Sequence, residues 1–324
     1  MLPDNFSNFK FAIFEFKTRI LSECTLPSFK GSTLRGGFGH NFRRVACCMP
    51  KNCECKDCIV KNKCIYSYVF ETPPPEGTLM MSKYPAAPHP FIIEPPLEDK
   101  RYYAEDDMFN FNLILVGKGI DYLPYFIYAF EETGKNGLGS NRHGKYTVES
   151  VVNHNLLLTN GSIIYEREKK FLESPSHIIT AEEIKKIIDK WENINSVKLN
   201  FLTPTRVKYE EKLVDYLEFH MFMRNFLRRL SSLCYFHCGF ELELDYKEII
   251  ERAKSVRRIN SNLQWLDWER YSSRQKTKMT LGGFTGDVTY TGDLREFTVF
   301  ILLGKYLHIG SAASFGMGKY EVRF

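Results

Sequence analysis

Apolar and polar positions alternate along the chain in an order that occurs twice. Residues 11–18 (FAIFEFKT) are apolar and aromatic-rich and predict a strand. Pro27 and Gly31 then punctuate a loop before residues 34–46, which predict a short helix with a basic opening. Residues 109–116 return to strand character. A helix is predicted over 121–132, with Leu123, Phe126, Ile127 and Phe130 on one side. A glycine-rich loop at 137–144 leads into a strand at 146–152. The second half repeats the plan. A helix at 181–191 precedes a strand at 197–202, and a long helix is predicted from Glu211 to Cys234 on the spacing of Leu213, Leu217, Met221, Leu227 and Leu230. A helix near 247–256, two strands around Gly282-Gly283 in 278–290, a helix at 294–303 and a strand at 319–324 complete it. Each half thus passes through strand, helix, strand, helix, glycine-rich loop and strand, which suits a β-α-β-β-α-β unit.

Length and composition agree with that duplication. The 324 residues suffice for two domains, placed here at 1–195 and 196–324. Residues 47–105 do not fit the repeat and are assigned to an insertion, rich first in cysteine and then in proline: eight prolines fall within 72–105. No apolar run approaches the ~18–20 residues that span a bilayer, and the N-terminus lacks a secretory pattern, so a cytoplasmic protein without membrane contact is expected. The net charge of +5 matters only for its placement. Residues 251–280 hold eight Lys and Arg against three Asp and Glu, so this one segment accounts for the whole excess.

Cysteine usage is equally local. Six of the nine cysteines lie between residues 47 and 64, where a reducing compartment favours metal binding over disulfides. Cys48-x6-Cys55-x2-Cys58-x5-Cys64 supplies four thiols with one CxxC turn, which suits tetrahedral zinc in a structural role. Cys47 and Cys53 are alternative ligands, and four thiolates are also compatible with an iron–sulfur cluster. Free reduced thiols are the simpler alternative.

The two glycine-rich loops, 137–145 and 308–319, allow backbone N–H groups to approach a phosphate closely. Neither has the pattern of a nucleotide-binding P-loop. Several further stretches stand in order around them: GSTLRGGFGH (31–40), Cys64-Ile65-Tyr66 with Phe70-Glu71, FLTPTR (201–206), WERYSSRQ (268–275), LGGFTG (281–286) and GSAASFGMGKYEV (310–322). Read together, they resemble the CRISPR pre-crRNA processing endoribonucleases of the RAMP superfamily. The resemblance spans nearly the whole chain. It implies an α+β fold of two tandem ferredoxin-like (RRM-like, RAMP) domains, with the Cys-rich insertion in the first. It also implies cleavage of CRISPR repeat RNA without metal, leaving a 2′,3′-cyclic phosphate and a 5′-hydroxyl.

Such chemistry requires a base for the 2′-hydroxyl, a cation for the phosphorane charge and an acid for the departing 5′-oxygen. His40 is the first candidate, in a basic setting with Arg35, Arg43 and Arg44, since imidazole works as acid or base near neutrality. His308 is the second, beside the C-terminal loop, and Lys30 is a candidate for charge stabilisation. Arg142, Arg270, Arg274, Lys276 and Lys319 are candidates for holding RNA phosphates, with Gly310, Ser311, Ser314, Gly316 and Gly318 forming a backbone cradle. The partners implied are repeat RNA and a CRISPR effector complex. A catalytically silent RAMP subunit of such a complex would share these features, and a protein-binding module built on the cysteines is a third possibility.

Overall fold

The computed structural model describes residues 3–50, 53–74, 78, 87–139, 143–157, 161–169, 171–191, 194–272 and 277–324. The chain divides into two compact units. One comprises Lys10–Ile179 with Ser232–Gly239, the other Met1–Phe9, Thr180–Ser231 and Phe240–Phe324.

In the first unit, β1 (Lys10–Ile20) is followed by the short β2 (Cys24–Thr25) and by α1 (Gly31–Ala46). Then come β3 (Phe91–Glu94), β4 (Tyr102–Tyr103), β5 (Phe111–Val116), α2 (Leu123–Asn136) and β6 (Tyr146–Asn153). Strand order is β3-β5-β1-β6, every neighbouring pair antiparallel, which is the ferredoxin-like arrangement. The sheet continues through β7 (Ser162–Glu166) and β8 (Phe171–Leu172), while β9 (Ile179–Thr180) pairs with β1. Aromatic side chains fill the core. The Phe38 ring lies 5.0 Å from Phe126 in stacked geometry, 4.9 Å from Phe130, and 5.5 Å edge-on from Phe91.

The second unit begins with α3 (Ala181–Ile188), whose N-terminus is closed by a capping box between Thr180 and Glu183. It continues with β10 (Ser196–Thr205), the hairpin β11 (Lys208–Tyr209) and β12 (Lys212–Leu213), α4 (Phe219–Leu233) and α5 (Tyr246–Ala253). It ends with β13 (Arg257–Ser261), β14 (Gln264–Ser272), β15 (Thr277–Thr291), α6 (Thr298–Leu307) and β16 (Tyr320–Arg323). The order β13-β15-β10-β16 repeats that of the first unit, with β14 paired to the far half of β15. Both halves are therefore ferredoxin-like, as the order of elements implied.

Three local expectations change. The segment assigned to an insertion contains β3, a core strand lying at the sheet edge, where flanking prolines cost no ladder hydrogen bonds. The long helix does not start at Glu211. Residues 208–213 form a hairpin, turned by Glu210 and Glu211 at positive φ, and the helix begins at Phe219. The two strands around Gly282-Gly283 are one continuous strand of 15 residues. The division expected at residue 195 falls after α3, which packs against α6 and the turn at residues 4–8. Among the described residues no helix is long and apolar enough to cross a membrane.

Candidate active site

Helix α1 places the first candidate. Leu34, Phe38 and Phe42, four residues apart, are buried against the core, which turns Gly36, His40 and Arg44 outward on the opposite face. Beyond Gly31 at its start, α1 holds three glycines in its interior, each costing roughly 1 kcal/mol relative to alanine. Two are explained by close approach. A Cβ at Gly37 would stand 2.9 Å from the Thr133 methyl on α2, and one at Gly39 would enter the Phe70 ring. Gly36 is different. A Cβ there meets nothing within 4 Å, so one turn before His40 the helix backbone is bare to solvent. Beside His40, the buried Asn41 donates to the Gly37 carbonyl at 3.0 Å and accepts from Asn136 at 2.8 Å, locking this part of α1 to the end of α2.

The other two candidates lie elsewhere. Lys30 is fully buried at the start of α1, its ammonium donating to the carbonyls of Ser28 (3.0 Å) and Glu98 (2.7 Å). Burial holds its pKa below the usual lysine range, with Glu98 and Asp99 pulling the other way. An amine so committed fastens the loop before α1 to the strap around residue 98. His308 is also fully buried, in the other unit. Its Nδ1 is 2.9 Å from the Met317 carbonyl, and the residue sits at φ +58° where α6 ends. It holds the two ends of the C-terminal loop together.

That loop uses its own amides. Gly310 N–H donates to Asn225, Ser311 to the Arg206 carbonyl, Gly316 to Ala313, Gly318 to Pro204 and Lys319 to Thr203. Gly318 sits at φ +80°, and a Cβ there would fall 1.8 Å from the Ile309 carbonyl oxygen. Ser314 is buried and Ser311 exposed. The amides of residues 310, 311, 316, 318 and 319 thus build the loop.

The candidate arginines separate in the same way. The guanidinium of Arg35 lies 4.5 Å over the Phe70 ring and 2.9 Å from His89. Arg43 donates to the Cys53 carbonyl at 2.8 Å, while Arg44 stays exposed on the His40 face. Arg270 stands on β14 opposite Met279. Arg142, Arg274, Lys276 and the side chain of Arg270 lie outside the described residues.

Two features escaped the sequence reading. His220, Arg224 and Arg228 recur every four residues and form the solvent stripe of α4, with Tyr209 of the preceding hairpin edge-on to His220 at 5.6 Å. Burial lowers the His220 pKa. The four-residue spacing was visible, but the false helix start at Glu211 obscured which face was wet. In the first unit, Ser22, Glu23, Cys24, Thr25, Tyr102 and His143 help line an open groove of about 520 Å³.

The cysteines form their own group. Cys47, Cys48, Cys53, Cys55, Cys58 and Cys64 all border one cavity of about 10 Å³. Among the described residues no three His, Cys, Asp or Glu side chains are closed up tightly enough to hold a metal ion.

The family model AF_1859_N, described as an N-terminal domain, matches residues 9–177, and that of the CRISPR-associated endoribonuclease Cas6 matches residues 199–320. An uncharacterized protein of Archaeoglobus fulgidus is 25% identical over 304 residues, covering 92% of this chain and 93% of the relative. Among solved structures, a Cas6 product complex superposes with TM-score 0.57 at 14% identity, covering 97% of this chain and 100% of the other. Thermus thermophilus Cas6 gives 0.53 at 14%, covering 97% and 99%. A partial Cas6-RT-Cas1–Cas2 complex gives 0.60 at 13%; 99% of this chain is covered, but it spans only 47% of that longer one. The shared architecture runs through both ferredoxin-like units, and the matched family models run through both halves of the sequence. The chain belongs to the family of the AF_1859_N N-terminal domain, whose model spans just over half of it, and its second half is similar to the CRISPR-associated endoribonuclease Cas6.

Proposed function

We propose that this protein cleaves the repeat of CRISPR transcripts by general acid–base chemistry, with His40 as the proton carrier and no metal in the reaction. One observation supports the reading above the others: of His40, Lys30 and His308, the first is the one exposed on an open helix face, while the other two are fully buried. The Cas6 family match supplies the substrate class.

In this reading the 2′-oxygen of the scissile nucleotide attacks phosphorus as its proton leaves, and the bond to the 5′-oxygen breaks as that oxygen gains a proton. The products are a 2′,3′-cyclic phosphate and a 5′-hydroxyl. The imidazole of His40 reaches one of these proton transfers, and Arg44, one turn further on, holds the phosphate charge. The bare backbone at Gly36 leaves room for the ribose-phosphate chain. Repeat RNA is the partner, and a CRISPR complex is where the cut product goes.

The test is incubation of the purified protein with its repeat RNA in chelator. A discrete cut whose 5′ fragment ends in a cyclic phosphate supports the reading. Saturable binding without any cut would instead make the protein a silent RAMP subunit.

Two further outcomes follow. Gly36→Ala is expected to stabilise α1 by about 1 kcal/mol, yet to weaken RNA binding, because the added methyl narrows the approach to His40. A thermal melt and a filter-binding assay check the two halves of that statement. Removing both Arg224 and Arg228 from the α4 stripe should flatten the plot of log K against log salt by about 1.4, two phosphate contacts on a single strand. An unchanged slope would take α4 out of the RNA interface.

A further inference from the structure

The segment 47–64 poses a question of stability. It contains no strand, and one short helical turn at Cys55–Asp57 is its regular structure among the described residues. Among the described residues its backbone hydrogen bonds, such as those from Cys53 to Pro50, Asp57 to Glu54, Cys58 to Cys55, Lys61 to Cys58 and Lys63 to Val60, are local. Ile59, its largest aliphatic side chain, is 89% exposed. Local turns without apolar burial do not hold a segment of this length in one place.

What the segment does bury is sulfur. Six thiols border a single cavity about the size of one atom. Cys58 is buried, and Cys47, Cys53, Cys55 and Cys64 are partly so, whereas Cys48 is exposed. Cys47 is fixed by its place as the C-cap of α1, its N–H donating to the Arg43 carbonyl. Cys55 and Cys58 are the two ends of one tight turn, the Cys58 N–H lying 3.3 Å from the Cys55 carbonyl.

We propose that this pocket is a zinc–thiolate centre, with Cys47, Cys55, Cys58 and Cys64 as its four ligands. Cys47 replaces Cys48 in the set read from spacing, because Cys48 is exposed and Cys47 is partly buried. Neutral thiols have no attraction that would draw four sulfurs to the ~2.3 Å radius of a zinc shell; the cation supplies it and displaces their protons. The chemistry is plain substitution: four thiols release protons as four S–Zn bonds form, with no change of oxidation state.

The centre also acts on α1. Arg43 ties the helix to the Cys53 carbonyl, and Cys64 leads directly into the turn that carries Tyr66 and Phe70. Those two rings stack at 5.4 Å, and Phe70 closes on Gly39, next to His40. Zinc therefore positions the helix that presents His40 without touching substrate. The metal site stands apart from the catalytic reading; its effect on cleavage rests on that reading.

The test is zinc content of the native protein by mass spectrometry, with cobalt exchanged into the wild type to look for the thiolate-to-cobalt charge-transfer band. About one zinc per chain is expected, with tetrahedral cobalt–thiolate absorption. Cys47→Ser and Cys55→Ser should lower the zinc content about tenfold or more, while Cys48→Ser keeps it. Native protein without zinc, or Cys55→Ser protein with full zinc, overturns the proposal. The cobalt spectrum of the wild type decides the matter even if the serine variants fail to fold. None of these measurements involves RNA cleavage, so a protein that binds zinc but cuts nothing would refute the catalytic reading alone.

Discussion

His40→Ala is expected to slow repeat-RNA cleavage by about 10²–10⁴-fold, the usual contribution of one positioned acid or base. Binding should change little. The side chain is exposed on α1, and alanine is a stronger helix former than histidine. The loss should therefore appear in the single-turnover rate at saturating enzyme, with an unchanged melting temperature. The pH dependence gives a second signature. The limb of the wild-type rate profile due to the imidazole should vanish in the variant, because that group is gone. Arg44→Ala supplies the contrast, weakening binding and rate together. A variant that cuts at the wild-type rate removes His40 from the chemistry and leaves the family fold in search of another acid.

Phe38→Ala is expected to cost about 3–5 kcal/mol of stability, the range for emptying a buried phenylalanine site. The ring is fully buried and is surrounded by Phe42, Phe91, Phe126 and Phe130, all within 5.5 Å. Those neighbours belong to α1, β3 and α2, so the cavity opens where three elements meet and none can close it alone. Calorimetry should show the transition of the first unit moving down by many degrees while that of the second stays in place. Phe38→Leu should recover most of the loss. A shift of under a degree would mean that the aromatic cluster is not what fastens α1 to the sheet. At temperatures where the variant remains folded it should still cut RNA, since Phe38 faces away from His40.

The duplicated order of strands and helices was legible because amphipathic periodicity reports burial directly. β1, α2, β6 and α6 follow from their apolar positions. What stayed hidden has separate physical causes. β3 is four residues long between Pro90 and Pro95, a context that resembles irregular chain; only its place at the sheet edge makes the prolines harmless. Leu213 looked like part of a helix because nothing in the residue types of Glu210 and Glu211 announces a left-handed turn. Gly282 and Gly283 looked like a break, yet a Cβ at Gly283 would lie 2.7 Å from the Thr205 backbone, so glycine permits the close approach of β10 there and does not end the strand. The candidate site shows the same limit. Residue type and local charge nominated His40, Lys30 and His308 together, and exposure, a property of tertiary packing, separated them. The cysteine module was legible as a cluster, while its inward-facing members were not.

The interleaved division of the chain has a consequence for synthesis. The first ferredoxin-like unit takes its last piece from Ser232–Gly239, where His237 reaches the Pro88 carbonyl at 2.7 Å and Tyr68 at 3.0 Å. The second unit takes its first piece from Met1–Phe9. A ribosome therefore releases the opening of the second unit before any of the first, and the closing strap of the first only after α4 has been made. Neither half can finish folding while the other is untranslated. At about 5–20 residues per second, the first unit waits several seconds for its strap, and a nascent chain stopped at residue 179 would be missing His237 altogether.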